Sequence, residues 1–177
     1  MANNLEILII GNGFDLNFGL NTSYTDFISS DIFFDLINKQ NGLARYLKDK
    51  HHLQNWIDIE NELSIYSTNG NLPPEDLNNL LVNFKELKVA LVKYLNTVDY
   101  NQLKKDSKSD QLLKSIYNKN FIVFNFNYTN TVWNGLESLG VPKNNLKSRV
   151  IQVHGGLDDD IIIGVEDQAN IRKQHIF

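Results

Sequence analysis

The stretch Leu5–Phe27, LEILIIGNGFDLNFGLNTSYTDF, constrains the fold more than any other part of the chain. Leu5 to Ile10 is an unbroken apolar run rich in isoleucine, the composition of a parallel strand buried on both faces. It stops at Gly11-Asn12-Gly13, and a helical pattern opens at Thr22-Ser23, both good N-cap residues. A strand feeding a glycine turn ahead of a helix is an arrangement that holds nucleotides. Glycines let backbone N–H groups approach a phosphate, and a helix N-terminus adds positive potential. The dinucleotide fingerprint carries a third glycine where this chain has Leu16. The turn is therefore equally readable as a tight βα connection.

Downstream, Tyr24, Phe27, Ile28, Phe33, Phe34 and Ile37 form a helical apolar stripe with Asp31 as its interruption, and Asn41-Gly42 ends it. Leu43–Lys50 reads as a short amphipathic helix. His52–Tyr66 reads as another, with Leu53, Trp56, Ile59 and Leu63 at three- and four-residue steps. Pro73-Pro74 breaks the pattern and suits the first turn of the next helix. There Leu77, Leu80, Leu81, Phe84, Leu87, Leu91, Tyr94 and Leu95 sustain one stripe. Gln111–Tyr117 is a further short helix. Three more strands follow: Phe121–Phe126, Arg149–Val153 and Ile161–Ile163, with a helix over Thr131–Leu139 after the first of them. Strands alternating with helices predict a Rossmann-like parallel α/β sheet in a single domain over residues 1–177. A large helical insertion, about residues 28–118, lies between the first and second strands.

Each predicted strand ends in a polar or glycine cluster: Gly11-Asn12-Gly13, Asn127-Tyr128-Thr129, His154-Gly155 and Gly164. Ligands of open parallel sheets bind outside the carboxyl ends of the strands, so the four clusters falling on one edge point to a site. Asn127 can orient a ribose hydroxyl or a water, or cap the following helix. His154 is the titratable base of that edge, or a hydrogen-bonded core histidine. Asp15 is placed to accept from ribose hydroxyls. An Asn/His pair beside a cradled nucleotide suits N-glycosidic cleavage, whose oxocarbenium-like transition state needs a positioned nucleophile more than a strong acid. No metal site is expected: His51 and His52 are adjacent and do not share a helix face.

Composition limits the alternatives. With 42% hydrophobic and 21% charged residues in 177, the chain has the make-up of one ordinary globular domain. A net charge of −4 argues against bulk nucleic-acid binding. Zero cysteines removes thiolate catalysis and cysteine-based zinc sites. No apolar run has the length of a membrane span, and a cytoplasmic setting is expected.

Leu8-Ile9-Ile10-Gly11-Asn12-Gly13-Phe14-Asp15-Leu16, followed by Gly19-Leu20 and Thr22-Ser23-Tyr24-Asp26-Phe27, resembles the opening signature of the AbiH family of bacterial phage abortive-infection proteins. Trp56 with Glu60 and Leu63, Asn125–Thr129, Val153-His154-Gly155 and Ile163–Asp167 are similar to that family's later blocks in the same order. The resemblance implies a role in phage defence. It also implies longer relatives with a C-terminal part that this chain lacks. More distantly the blocks resemble sirtuin-like NAD-binding proteins. By that likeness Gly11 and Gly13 face the pyrophosphate, Asn127 faces the nicotinamide ribose, and His154 is the base. The chain differs from those hydrolases at Thr129, where they carry an aspartate, and at Asp15, where they carry a small hydroxyl residue.

The expected function is an antiphage protein binding NAD or a related nucleotide and cleaving its N-glycosidic bond. Asn127, His154 and Asp15 are the expected catalytic residues. Gly11, Asn12, Gly13, Phe14, Asp15, Thr22, Ser23, Tyr24, Tyr128, Gly155 and Gly164 are the expected binding residues. A non-catalytic nucleotide sensor, signalling through the helical block, is the alternative. A ribonuclease built on Arg45 and His51 is the third reading, against a solvated basic face. Trp56 and Glu60, at i and i+4, form a lesser candidate site. A second copy of the chain or a phage-derived trigger is the expected macromolecular partner.

Overall fold

The computed structural model describes residues 4–50, 62, 63, 65 and 74–163. The predicted helix over His52–Tyr66 (Glu62, Leu63 and Ile65, all helical, apart) lies outside these residues, as do Trp56, Glu60, His51, His52, His175 and Gly164. The chain is α/β. A three-stranded parallel sheet, β1 (Glu6–Ile10), β2 (Phe121–Asn125) and β3 (Val150–Gln152), runs in the order β1-β2-β3. The described helices are α1 (Asn12–Asn17), α2 (Tyr24–Ile28), α3 (Asp31–Asn38), α4 (Gly42–Asp49), α5 (Pro74–Leu95), α6 (Lys108–Ile116), α7 (Thr131–Ser138) and α8 (Lys143–Leu146). Six of these stand between β1 and β2 in the chain. The contacts gather it into two compact units, Met1–Thr22 with Leu95–Ile162, and Ser23–Tyr94 with Ile163–Phe177.

The first unit holds the sheet. In register, Ile10 faces Asn125, and Asn125 faces Gln152, so one row crosses all three carboxyl ends. The core lies on one face. Ile10, Phe121, Val123 and Val150 of the strands meet Phe14 of α1 and Phe18 at its C-terminal cap, Leu113 and Ile116 of α6, Val132 and Leu136 of α7, and Leu146 of α8. Each crossover moves one strand in the same direction, and right-handed crossovers of that kind lay their helices on one side of the sheet. These helices do not cover the opposite face. Ile7 is 60% and Ile9 72% exposed, which corrects the expectation that the first strand is buried on both faces.

In the second unit Ser23 caps α2 in a capping box with Asp26, as the Thr22-Ser23 signal predicted. The apolar stripe through Phe33 is two helices rather than one, because Ser30 caps α3 through the Phe33 N–H. Phe27 packs edge-to-face on Phe33 at 5.2 Å and at a tilt on Tyr94 at 5.6 Å. The Asn41 side chain ties the start of α4 to α5, donating to the Asn83 carbonyl and to Glu86.

The expected fourth strand, Ile161–Ile163, is not one. Ile162 N–H donates to the His154 carbonyl at 2.8 Å, closing a loop back onto the end of β3. Gly155 turns that loop with φ +74°. Ile161 and Ile163 are apolar because they are buried, not because they pair in the sheet.

Candidate functional site

The carboxyl edge of the sheet begins at Gly11, which is extended (φ −133°, ψ −169°) and passes directly into α1. The helix starts at Asn12, some ten residues before the sequence pattern announces one. Gly11 and Gly13 share a property. A Cβ at either would meet nothing within 4 Å, and neither has a positive φ. The fold itself does not require glycine at these positions. Beside them opens a cavity of about 400 Å³, lined by Ile9, Gly11, Gly13, Phe14, Asn17 and Lys108.

Asp15 and Asn127 are brought into contact, but with each other. Asp15 is fully buried, and its Oδ1 accepts from Asn127 Nδ2 at 3.2 Å. Its Oδ2 accepts from the Thr129 hydroxyl, which in turn accepts from Thr131. Asn127 Nδ2 also donates to the Gly11 carbonyl at 3.0 Å, and its backbone N–H donates to Asn125 Oδ1. Asn125 Nδ2 and Gln152 Nε2 both donate to the Thr129 carbonyl. Burial pushes the Asp15 carboxyl up to about 6, against the opposing pull of hydrogen bonds from Thr129, Thr131 and Asn127. This buried network ties the ends of the strands to α1.

His154 is half-buried, edge-to-face against Phe126 at 5.2 Å and tilted against Tyr128 at 6.4 Å. The Tyr128 hydroxyl donates to the Ile162 carbonyl. Gly155 is held by its backbone, since a Cβ there would come within 2.3 Å of the Asp160 carbonyl oxygen. Asn12 accepts from the Thr22 hydroxyl at 2.8 Å, stitching the turn after α1 back to its start. Phe14 is a core residue, edge-to-face on Phe18. Ser23 and Tyr24 belong to the second compact unit.

Lys108, Asn17, Ser109, Thr131 and Gln152 were not singled out by sequence. Ser109 donates from its N–H to Asn17 Oδ1 and from its hydroxyl to the Phe14 carbonyl, which fixes the start of α6 beside α1. The Ser107-x-x-Asp110 cap that begins α6 is readable, but its place beside Gly13 is a product of the fold. Among the described residues, no three His, Asp or Glu side chains gather as a metal site needs, and no helix is long and apolar enough to cross a membrane.

The sequence matches the profile of the bacteriophage abortive infection AbiH family over residues 7–176. The chain belongs to the AbiH family. Membership supports a role in phage abortive infection. No curated protein and no solved structure matches the chain. In this AbiH chain the matched span takes in β1 from Ile7 on, β2 and β3, the glycine turn, the Asp15–Asn127 network and His154.

Proposed function

We propose that this AbiH chain works in abortive infection by binding a nucleotide at the carboxyl edge of its sheet, with its phosphates over Gly11 and Gly13. One observation carries the reading. Both glycines face open space that no packing or backbone strain explains, beside a cavity with a lysine at its rim. Close approach of a ligand backbone is the physical reason left for glycine there. Lys108 supplies the countercharge for an anion.

His154 follows β3 and Gly11 follows β1, so the two are separated by the width of β2, about 10 Å at two strand spacings. A ligand touching both ends needs the length of a diphosphate nucleotide, which favours NAD or ADP-ribose over a mononucleotide. With such a ligand, His154 accepts the proton of a water attacking the anomeric carbon. The C–O bond forms, the C–N bond breaks, and the leaving base keeps the electron pair. Asp15 and Asn127 hold the scaffold rather than the substrate. The alternative, a sensor that binds without turnover, keeps the glycine site and gives His154 no chemistry.

An NAD-consumption assay beside a binding titration separates the two. Turnover lost in His154→Gln with binding retained supports the hydrolase. Binding without turnover in the wild type supports the sensor, and absence of both contradicts the site.

A further inference from the structure

A second cavity of the sheet-bearing unit, of about 490 Å³, shares no lining residue with the one beside the glycine turn. Helix α6 contributes to both from opposite faces. Lys108, Ser109 and Leu112 line the glycine cavity, whereas Asp110 and Lys114 line the other. Short contacts fix the walls of this second cavity. The Tyr100 hydroxyl donates to the Leu95 carbonyl at 2.8 Å, and the Lys104 N–H donates to the Phe18 carbonyl at 2.9 Å. α7 packs against α6 at Gly135, where a Cβ would come within 2.3 Å of Leu113 Cδ1. The cavity is therefore preformed, as small-molecule sites usually are, and its volume lies within their range of about 300–1,000 Å³.

Its apolar lining is Phe18, Tyr100, Leu103 and Leu139, two of them aromatic. Its acid is already neutralised. Asp110 Oδ2 accepts from Lys114 Nζ at 2.7 Å and from the Asp106 N–H at 2.7 Å, and Lys114 also meets Asp106 at 3.3 Å. The Lys114 hydrogen bond holds the Asp110 carboxyl below the usual carboxylate range. Two polar groups of the lining remain. Lys105 is exposed and makes no ion pair among the described residues. The half-buried Asn134 side chain has no hydrogen-bond partner among them, although an amide offers two donors and an acceptor.

We infer that this cavity is a second small-molecule site, which takes a ring-bearing ligand with one anionic group. The ring packs on the aromatic and leucine lining, Asn134 bonds its polar edge, and Lys105 pairs with the anion. An anion fits because, of the two lysines in the lining, Lys105 is the one left without a carboxylate. A nucleoside monophosphate and an aromatic carboxylate share this chemistry. The site does not rest on the nucleotide reading, since neither Asn134 nor Lys105 borders the glycine cavity.

The test is calorimetric titration of the full 177-residue chain with AMP and with indole-3-acetate, the arms that separate the two sources. Adenosine and inorganic phosphate serve as ligands that lack the anion or the ring. The expected result is saturable binding of AMP or of indole-3-acetate, about tenfold or more tighter than that of adenosine or phosphate. Lys105→Ala should weaken it about tenfold at low salt. Asn134→Asp, which sets a carboxylate against the anion, should abolish it with unchanged circular dichroism. Asn134→Ala should weaken it by about tenfold, which keeps the test valid if the aspartate disturbs α7. The control Lys104→Ala, adjacent in sequence but outside the lining, should bind like the wild type. AMP binding lost in Gly13→Val but retained in Lys105→Ala and Asn134→Ala would place the ligand in the glycine cavity and overturn the inference. Adenosine binding as tightly as AMP, or no binding of either probe by the folded chain, overturns it as well.

Discussion

Asn127 Nδ2 donates to Asp15 Oδ1 at 3.2 Å and to the Gly11 carbonyl at 3.0 Å, joining the end of β2 to both the glycine turn and α1. The two residues lie 112 positions apart in the chain. Their pairing holds the glycine turn in place.

Asn127→Ala removes the donor to the buried Asp15 carboxylate and to the Gly11 carbonyl at once. The expected cost is about 2 kcal/mol of stability, the penalty for leaving buried polar groups unpaired. Chemical denaturation checks it. Loss of activity at unchanged stability would show instead that Asn127 acts on substrate.

Asp15 gives a pH dependence with a definite sign. Its carboxyl is raised to about 6 in the folded chain, above the ordinary value of about 3.9 in an unfolded one. The folded state therefore binds the proton more tightly. This contribution to stability is fully present below about pH 4 and is lost as pH rises through about 6. In Asp15→Asn the side-chain oxygen can still accept from Asn127 Nδ2, and its amide N–H can donate to the Thr129 hydroxyl oxygen. It should match or exceed wild-type stability at pH 7.5, and its advantage should shrink by on the order of 2 kcal/mol at pH 4.5. Asp15→Ala should be destabilised at both. Denaturation midpoints at the two pH values decide the matter, and a wild-type-like slope in Asp15→Asn would contradict the assignment.

Glycines 13 and 155 should respond in opposite ways. Gly13→Ala adds a Cβ into open space within α1 and should stabilise by a few tenths of a kcal/mol, up to about 1. Gly155→Ala puts a Cβ against the Asp160 carbonyl at φ +74° and should cost about 1–3 kcal/mol. Thermal melts of the pair test both claims together.

Lys108 lines the glycine cavity from the first residue of α6. Lys108→Ala should weaken binding of ADP-ribose about fivefold to tenfold at low salt, with a smaller effect as ionic strength rises. A salt-independent loss would point to packing rather than charge.

Local signals were legible in the sequence, and long-range ones were not. The Ser23 cap, β2 and the helix after Thr131 are decided by neighbours within a few residues, and all stand where the pattern puts them. The immediate start of α1 was hidden because Gly11 caps it without a side chain. Ile161–Ile163 misled because a three-residue apolar run reads the same in a strand and in a buried loop. Ile7 and Ile9 misled for a related reason, since composition does not reveal which face the crossovers cover. The clusters that follow β1, β2 and β3 were legible, but nothing in the spacing of Asp15 and Asn127 told that they would bond to each other.

The central claim is that Gly11 and Gly13 are kept open for a ligand, and calorimetric titration of wild type and Gly13→Val with ADP-ribose and NAD tests it most directly. A Cβ at position 13 meets nothing within 4 Å and the backbone there has no positive φ, so the variant should fold and melt like the wild type. The account predicts saturable binding to the wild type and none to Gly13→Val. Equal binding by both, or no binding by a folded wild type, would contradict it.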